Sequence, residues 1–381
     1  MVTTNRALDT EVRDIVRRQI DRGEQIGVQV CAYKDGEMIV DVCAGTMGPD
    51  DPRPVQADTL FSSFSTTKGV AATALHILAD RGLIDYEAPV AQYWPAFGVN
   101  GKDQVTVAQA MSHQAGLHAV PAPLTADFVT DWEQGLAFIA NGTPAWEPGT
   151  ATGYHALTYS WIVGGIVQGA TGRHIRDVIA EEIAGPLGMA SEIYVGIPAG
   201  VEDRLATLKE LDGGLAADLP IPPDHDFFKA MPPGADFSFN DMRIRKCCLP
   251  AANGHFTARA LAKMYAALAG GGEIDGVRLV SRERIAEMQR VRTEAPDRVL
   301  ILPIPKSVGF MMGGGWGGVT GAFGPRRTAF GHSGAGGSTA FADPEAELAI
   351  AVTINQMQSS LQGEGPTVEI CEFIRQRLGV A

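Results

Sequence analysis

The chain has 381 residues, 45% hydrophobic and 20% charged, which suits a large core in one domain or two associated lobes. A net charge of −13 argues against a nucleic-acid partner, because phosphate binding needs clustered Lys and Arg. No run approaches the roughly 20 apolar residues of a membrane span, and the opening Met1–Asp9 has no apolar signal core, so no membrane partner and a cytoplasmic location are expected.

Residues 7–22 carry Leu8, Val12, Ile15, Val16 and Ile20 at helical spacing and end near Arg22-Gly23. Two β-rich runs, 26–33 and 38–43, flank Lys34-Asp35-Gly36-Glu37, and an Asp-Gly turn between such runs predicts a hairpin. Ser65-Thr66-Thr67-Lys68 then leads into an apolar helical pattern that stops at Asp80-Arg81-Gly82. Residues 83–150 are broken by prolines, with a short helix expected after Thr106 as its cap. Apolar helices follow over 156–170 and 175–183. Residues 196–250, with proline clusters at 220–223 and 232–233, read as a loop-rich excursion beside a substrate site. A helix over 257–270, strands at 328–332, 338–342 and 348–354, and a closing helix over 367–378 complete the chain. Strands at both ends and helices between them predict an α/β (α+β) architecture. An antiparallel sheet lobe (1–80 and 241–381) would be flanked by helices, with a mostly helical lobe (81–240) inserted.

Chemistry enters at Ser65 and Lys68. On a helix, residues three apart share a face, so an amine would lie beside a hydroxyl. A lysine can take a serine's proton if burial or positive neighbours lower its pKa by roughly three units from ~10.4. The competing reading makes Ser62, Ser63 or Ser65 a helix cap and leaves Lys68 solvated. Metal chemistry is not expected: the eight histidines show no His-x-x-x-His spacing, and the five cysteines no Cys-x-x-Cys. Their odd number suits free thiols in a reducing compartment.

Three pieces in order carry a resemblance: Ser65-Thr66-Thr67-Lys68; Glu147-Pro148-Gly149 with Tyr154 and then Tyr159; and Gly331-His332-Ser333-Gly334. Together with Ser112–Leu117, Pro186–Met189 and Phe341–Pro344, they resemble the serine β-lactamase and penicillin-binding-protein superfamily. The likeness is nearest to class C β-lactamases and family VIII carboxylesterases, and it covers nearly the whole chain. It implies a β-lactamase-like fold, Ser65 as nucleophile, and Lys68 with Tyr154 as shared general base, a cationic Lys68 helping to hold a phenolate. It also implies an oxyanion hole from the N–H groups of Ser65 and Ala335. No cofactor and no metal are implied. His332, Ser333 and Gly334 would contact substrate from the sheet edge, and His155 and Trp316 are further candidate contacts.

Two departures bear on substrate. The second motif reads Tyr154-His155-Ala156 where β-lactamases have Tyr-x-Asn, and His332 replaces the lysine of Lys-Thr-Gly. A fixed cation for a substrate carboxylate is therefore gone or pH-dependent. Hydrolysis of an uncharged carboxylic ester of short to medium acyl chain is expected. Amide or peptide hydrolysis, weak β-lactamase activity, transesterification and a catalytically inert relic are the alternatives. Gly313–Gly318 matches a dinucleotide fingerprint but lacks a following helix, Ser338 falls short of a nucleophile elbow, and His113 is expected to brace a turn.

Overall fold

The computed structural model describes residues 6–211, 221–315, 319–358 and 364–380. Helix α1 (Arg6–Asp21) precedes a hairpin of β1 (Gly27–Lys34) and β2 (Glu37–Gly48), then β3 (Asp51–Pro54) and β4 (Phe61–Ser62). Helices α2 (Thr67–Asp80), α3 (Val90–Tyr93), α4 (Val107–Met111), α5 (Ala126–Thr130), α6 (Trp132–Asn141), α7 (Tyr159–Thr171) and α8 (Ile175–Ile179) follow. Beyond β5 (Ile193–Val195) come α9 (Asp226–Ala230), α10 (Met242–Lys246), β6 (Gly254–Phe256) and α11 (Ala258–Ala269). A small hairpin, β7 (Glu273–Ile274) with β8 (Val277–Arg278), leads to α12 (Arg282–Gln289). The chain closes with β9 (Met311–Met312), β10 (Phe330–Ser333), β11 (Thr339–Asp343), β12 (Leu348–Ile354) and α13 (Pro366–Arg377).

The main sheet is antiparallel in the order β3-β2-β1-β12-β11-β10-β9, so the two chain ends meet where β1 pairs β12, Val28 opposite Ile354. Alternation along the strands gives each face its own core. Val28, Val30, Val40, Val42, Ile350 and Val352 pack with α1 and α13, whereas Cys31, Ala340, Ala349 and Ala351 join the core that holds α2, α7 and α11. Small residues on that second face let α11 lie close to β1, β11 and β12. The mixed helix and antiparallel-sheet architecture expected from the sequence is present.

Local chemistry explains most boundaries. Thr106 caps α4 in a reciprocal capping box with Gln109, and Gly172 closes α7 in the left-handed region at φ 70°. The expected continuous helix over 175–183 differs. After Ile179 the chain widens into a π turn over Ala180–Ala184, with Gly185 N–H donating to the Ala180 carbonyl five residues back.

The start of α2 is where sheet and helices meet. Gly334, just past β10, abuts the turn before the helix: a Cβ there would stand 2.3 Å from the Ser63 carbonyl oxygen. The Thr66 hydroxyl donates to the Ser338 carbonyl at 3.1 Å, and Ser63 N–H to the Gly254 carbonyl at 2.9 Å. Phe64 takes φ 44°, a conformation costly for a non-glycine residue, so tertiary contacts hold the turn that presents Ser65. The helix-cap reading does not describe this turn, since the N-cap of α2 is Thr66 and makes no side-chain cap hydrogen bond.

Candidate active site

Ser65 is half-buried and faces a cleft of about 340 Å³ together with Tyr154, Ser333, Gly334 and Ala335. Lys68, in the first turn of α2, is wholly buried. Its Nζ lies 3.1 Å from Ser65 Oγ, 2.8 Å from the Ala156 carbonyl and 3.0 Å from the Ala251 carbonyl. Burial, with no carboxylate offsetting it, drives the amine well below the ordinary lysine range. A neutral amine has two N–H groups and one lone pair. Two carbonyls can only accept, so they take both N–H groups and leave the lone pair aimed at the Ser65 hydroxyl. That is the arrangement of a base.

Tyr154 is buried and lines the cleft with Ser65, and Lys68 Nζ lies 4.7 Å from its ring centroid. Burial pushes the phenol above its usual range, Ser65 opposes this, and the Asp297 carboxylate adds to it. This corrects the expected ammonium–phenolate pair. Ammonium with phenolate and amine with phenol carry the same protons, and burial of both groups favours the tautomer that carries no charge.

Asp297 and Lys306, which the sequence did not single out, brace this tyrosine from behind. Asp297 Oδ1 accepts the N–H groups of Tyr154 at 3.0 Å and of Val299 and Leu300 at 2.8 Å. Its Oδ2 lies 2.9 Å from Lys306 Nζ in a fully buried ion pair. Burial alone would raise this carboxyl, but Lys306 and the N–H donors bring it net below its ordinary value. Asp297 and Lys306 stand far from every motif residue in the chain, so no local pattern could announce them.

The remaining candidates divide. Ser333 and Gly334 line the cleft. The N–H groups of Ser65 and Ala335 have no acceptor among the described residues. His155 is fully buried off the cleft, its Nε2 accepting Leu117 N–H at 3.0 Å, so it is not a substrate contact but a brace. His332 is also buried and off the cleft. Its Nδ1 lies 2.8 Å from the Ser333 carbonyl, its Nε2 has no partner, and its ring centroid stands 5.9 Å from that of Tyr154. Burial, reinforced by Lys68, lowers its pKa to about 3, so of the two expectations, a cation gone or a pH-dependent one, a neutral imidazole near neutrality favours the first. Trp316 lies outside the described residues.

Tyr159, the rival phenol, is buried off the cleft with its hydroxyl unpartnered. His113 braces the Tyr154 segment, accepting His155 N–H at Nδ1 and Gly153 N–H at its carbonyl, both at 3.0 Å. Ser338 is structural, its carbonyl accepting Gly334 N–H at 2.7 Å and its hydroxyl accepting Ile354 N–H at 3.3 Å. Among the described residues no group of three or more His, Cys, Asp or Glu is placed to hold a metal ion.

The β-lactamase family profile matches residues 12–369. The chain belongs to the β-lactamase family. Within the family it is similar to the esterase/β-lactamase LipL of Mycobacterium tuberculosis, 39% identical over 352 residues, which covers 88% of this chain and 78% of that protein. Its fold is that of a family VIII carboxylesterase crystal structure, with TM-score 0.86, 36% identity and 96% of each chain covered. A penicillin-binding-protein homologue from Caulobacter crescentus superposes at TM-score 0.83 with 33% identity, over 96% of this chain and 97% of that one.

Beyond the motif residues, the cleft wall is apolar. Leu124, Phe227, Phe228, Met231, Phe237 and Phe239 supply much of it, drawn largely from the proline-rich stretch around 221–239. Among the described lining residues the single charged side chain is Glu210, exposed, whose Oε1 accepts from Ser238 Oγ at 2.9 Å and Phe239 N–H at 2.8 Å. Among the described residues no helix is long and apolar enough to cross a membrane.

Proposed function

We propose that this protein is a serine carboxylesterase of the β-lactamase-like type, cleaving uncharged esters through an acyl-enzyme on Ser65. The observation that carries the reading is the buried Lys68 amine, both N–H groups held by carbonyls and the third position 3.1 Å from Ser65 Oγ, in a cleft whose described lining holds no cation. The esterase names among similar proteins support it.

In the proposed cycle Lys68 takes the Ser65 proton as Oγ attacks the acyl carbon. The N–H groups of Ser65 and Ala335 stabilise the oxyanion, each donor worth about 10²–10³ in rate. Tyr154 gives its proton to the departing alkoxide and recovers one from Lys68, which restores the neutral pair. Water then attacks the acyl carbon as its proton passes through Tyr154 to Lys68; the bond from that carbon to Ser65 Oγ breaks, Oγ takes the proton back, and the acid leaves with the neutral pair restored. A substrate carboxylate would enter a site with no partner cation and meet Glu210 at the rim, so uncharged acyl groups are preferred. The lobes are assigned to 1–80 with 241–381 and to 81–240. The five free thiols and the net charge of −13 favour a reducing, cytoplasmic setting without a nucleic-acid partner.

Turnover of p-nitrophenyl butyrate by wild type and Ser65→Ala tests this. The variant is expected to lose at least about a thousandfold in kcat/KM. Equal activity in both would remove Ser65 from the mechanism.

A further inference from the structure

A second, smaller cavity of about 50 Å³ adjoins the cleft, and Ser333 and Gly334 line both. Met311, Ala322, Phe323 and Val368 give it an apolar side, and the remaining wall carries polar groups that the cleft lacks. Thr367, in the first turn of α13, is 3% exposed, and among the described residues its Oγ1 and the buried Gln358 Nε2 have no partner. Ser333 Oγ pairs with Thr339 Oγ1 at 2.9 Å in the same wall, and Glu364 completes it. Buried polar atoms left without partners cost free energy until a water or a ligand supplies the missing hydrogen bonds.

An ester held with its carbonyl carbon at Ser65 and its carbonyl oxygen at the N–H groups of Ser65 and Ala335 has two arms that diverge from that carbon. The site offers two chambers of unequal size, a large apolar cleft and a small cavity with one polar wall. We infer that the apolar cleft takes the acyl chain and the small cavity takes the alcohol part, so that preferred substrates join an apolar acid to a short, polar, uncharged alcohol. This rests on the esterase reading and names its substrate class. A hydroxyl on the alcohol would give Thr367 and Gln358 the partner they lack. Glu364 disfavours an alcohol bearing a carboxylate. A long alkyl alcohol would strand those polar atoms against hydrocarbon, and a site built to hydrogen-bond discriminates strongly against a ligand that cannot.

Two isomeric esters decide the assignment. 2-Hydroxyethyl octanoate places the long chain on the acyl side; octyl glycolate has the same atoms with the arms exchanged. Wild type is expected to favour 2-hydroxyethyl octanoate by at least about tenfold in kcat/KM. Thr367→Leu, which fills the small cavity, is expected to collapse that ratio towards one. If that variant fails to fold, the wild-type ratio still decides. A ratio of one or a preference for octyl glycolate, in a protein whose Ser65 is labelled by a fluorophosphonate, overturns this inference alone. Turnover of neither ester together with no labelling overturns the esterase reading and this inference with it.

Discussion

At the scale of single residues, the site depends on burial removing charge. Lys68 titrates well below the ordinary lysine range because nothing anionic offsets its desolvation. If it is the base, activity requires the neutral amine and disappears as pH falls through that lowered pKa. The acid limb of kcat/KM against pH should therefore lie well below the 10.5 of a free lysine. A limb near 10.5 would show that the amine is charged in the resting enzyme. Asp297 and Lys306 make the complementary case, two charges buried together. Lys306→Met leaves the carboxylate under Tyr154 uncompensated and should cost about 3–5 kcal/mol in urea denaturation. Adding Asp297→Asn should restore most of that loss, because the amide oxygen can still accept the three N–H groups. Additive losses in the double variant would mean the pair is not coupled.

At the scale of elements, α7 shows how glycines set the distance between helices. Gly164 and Gly165 seat Trp132 and Trp94, and Gly169 faces the Tyr93 backbone, where a Cβ would lie 2.3 Å from the carbonyl oxygen. A ring can turn aside, whereas a main chain held by α3 cannot do so cheaply. Gly169→Ala should therefore destabilise the fold by about 1–3 kcal/mol, despite alanine's better helix propensity. Thermal denaturation would register this as a lowered Tm. An unchanged or raised Tm would mean that α3 and α7 can separate without loss. The helix itself was legible from its apolar run and Gly172, while the partners of its glycines lie about 30 to 75 residues away and left no local trace.

At the scale of the whole molecule, the same desolvation recurs in the histidines. Burial lowers His76, His155, His255 and His332 to about 3. The sign follows from proton uptake. Below about 6.5 the unfolded chain binds protons at these positions and the native chain does not, so stability falls as pH drops from about 6.5 towards about 3. Each such histidine removes up to about 1.4 kcal/mol per pH unit in that window. The urea midpoint at pH 5 should thus lie clearly below that at pH 7. Equal midpoints would mean that the histidines are charged, and solvated, in the native state.

What could be read from the chain alone is what local spacing and periodicity encode. The hairpin around Asp35-Gly36, the helix from Thr67, the strand alternation of 348–354 and the proximity of Ser65 to Lys68 each follow from a few neighbouring residues. Tyr154 needed the order of three motifs, since its approach to Ser65 spans almost ninety residues of chain. Tertiary structure alone decided which histidines face substrate, because His155 and His332 look available in the sequence and are buried in the fold. It also supplied the Asp297–Lys306 brace and the pairing of a large apolar cleft with a small cavity that has one polar wall. The physical reason is common to all of these. Dielectric, hydrogen-bond supply and cavity volume belong to the space between elements, and that space exists only once segments hundreds of residues apart have packed.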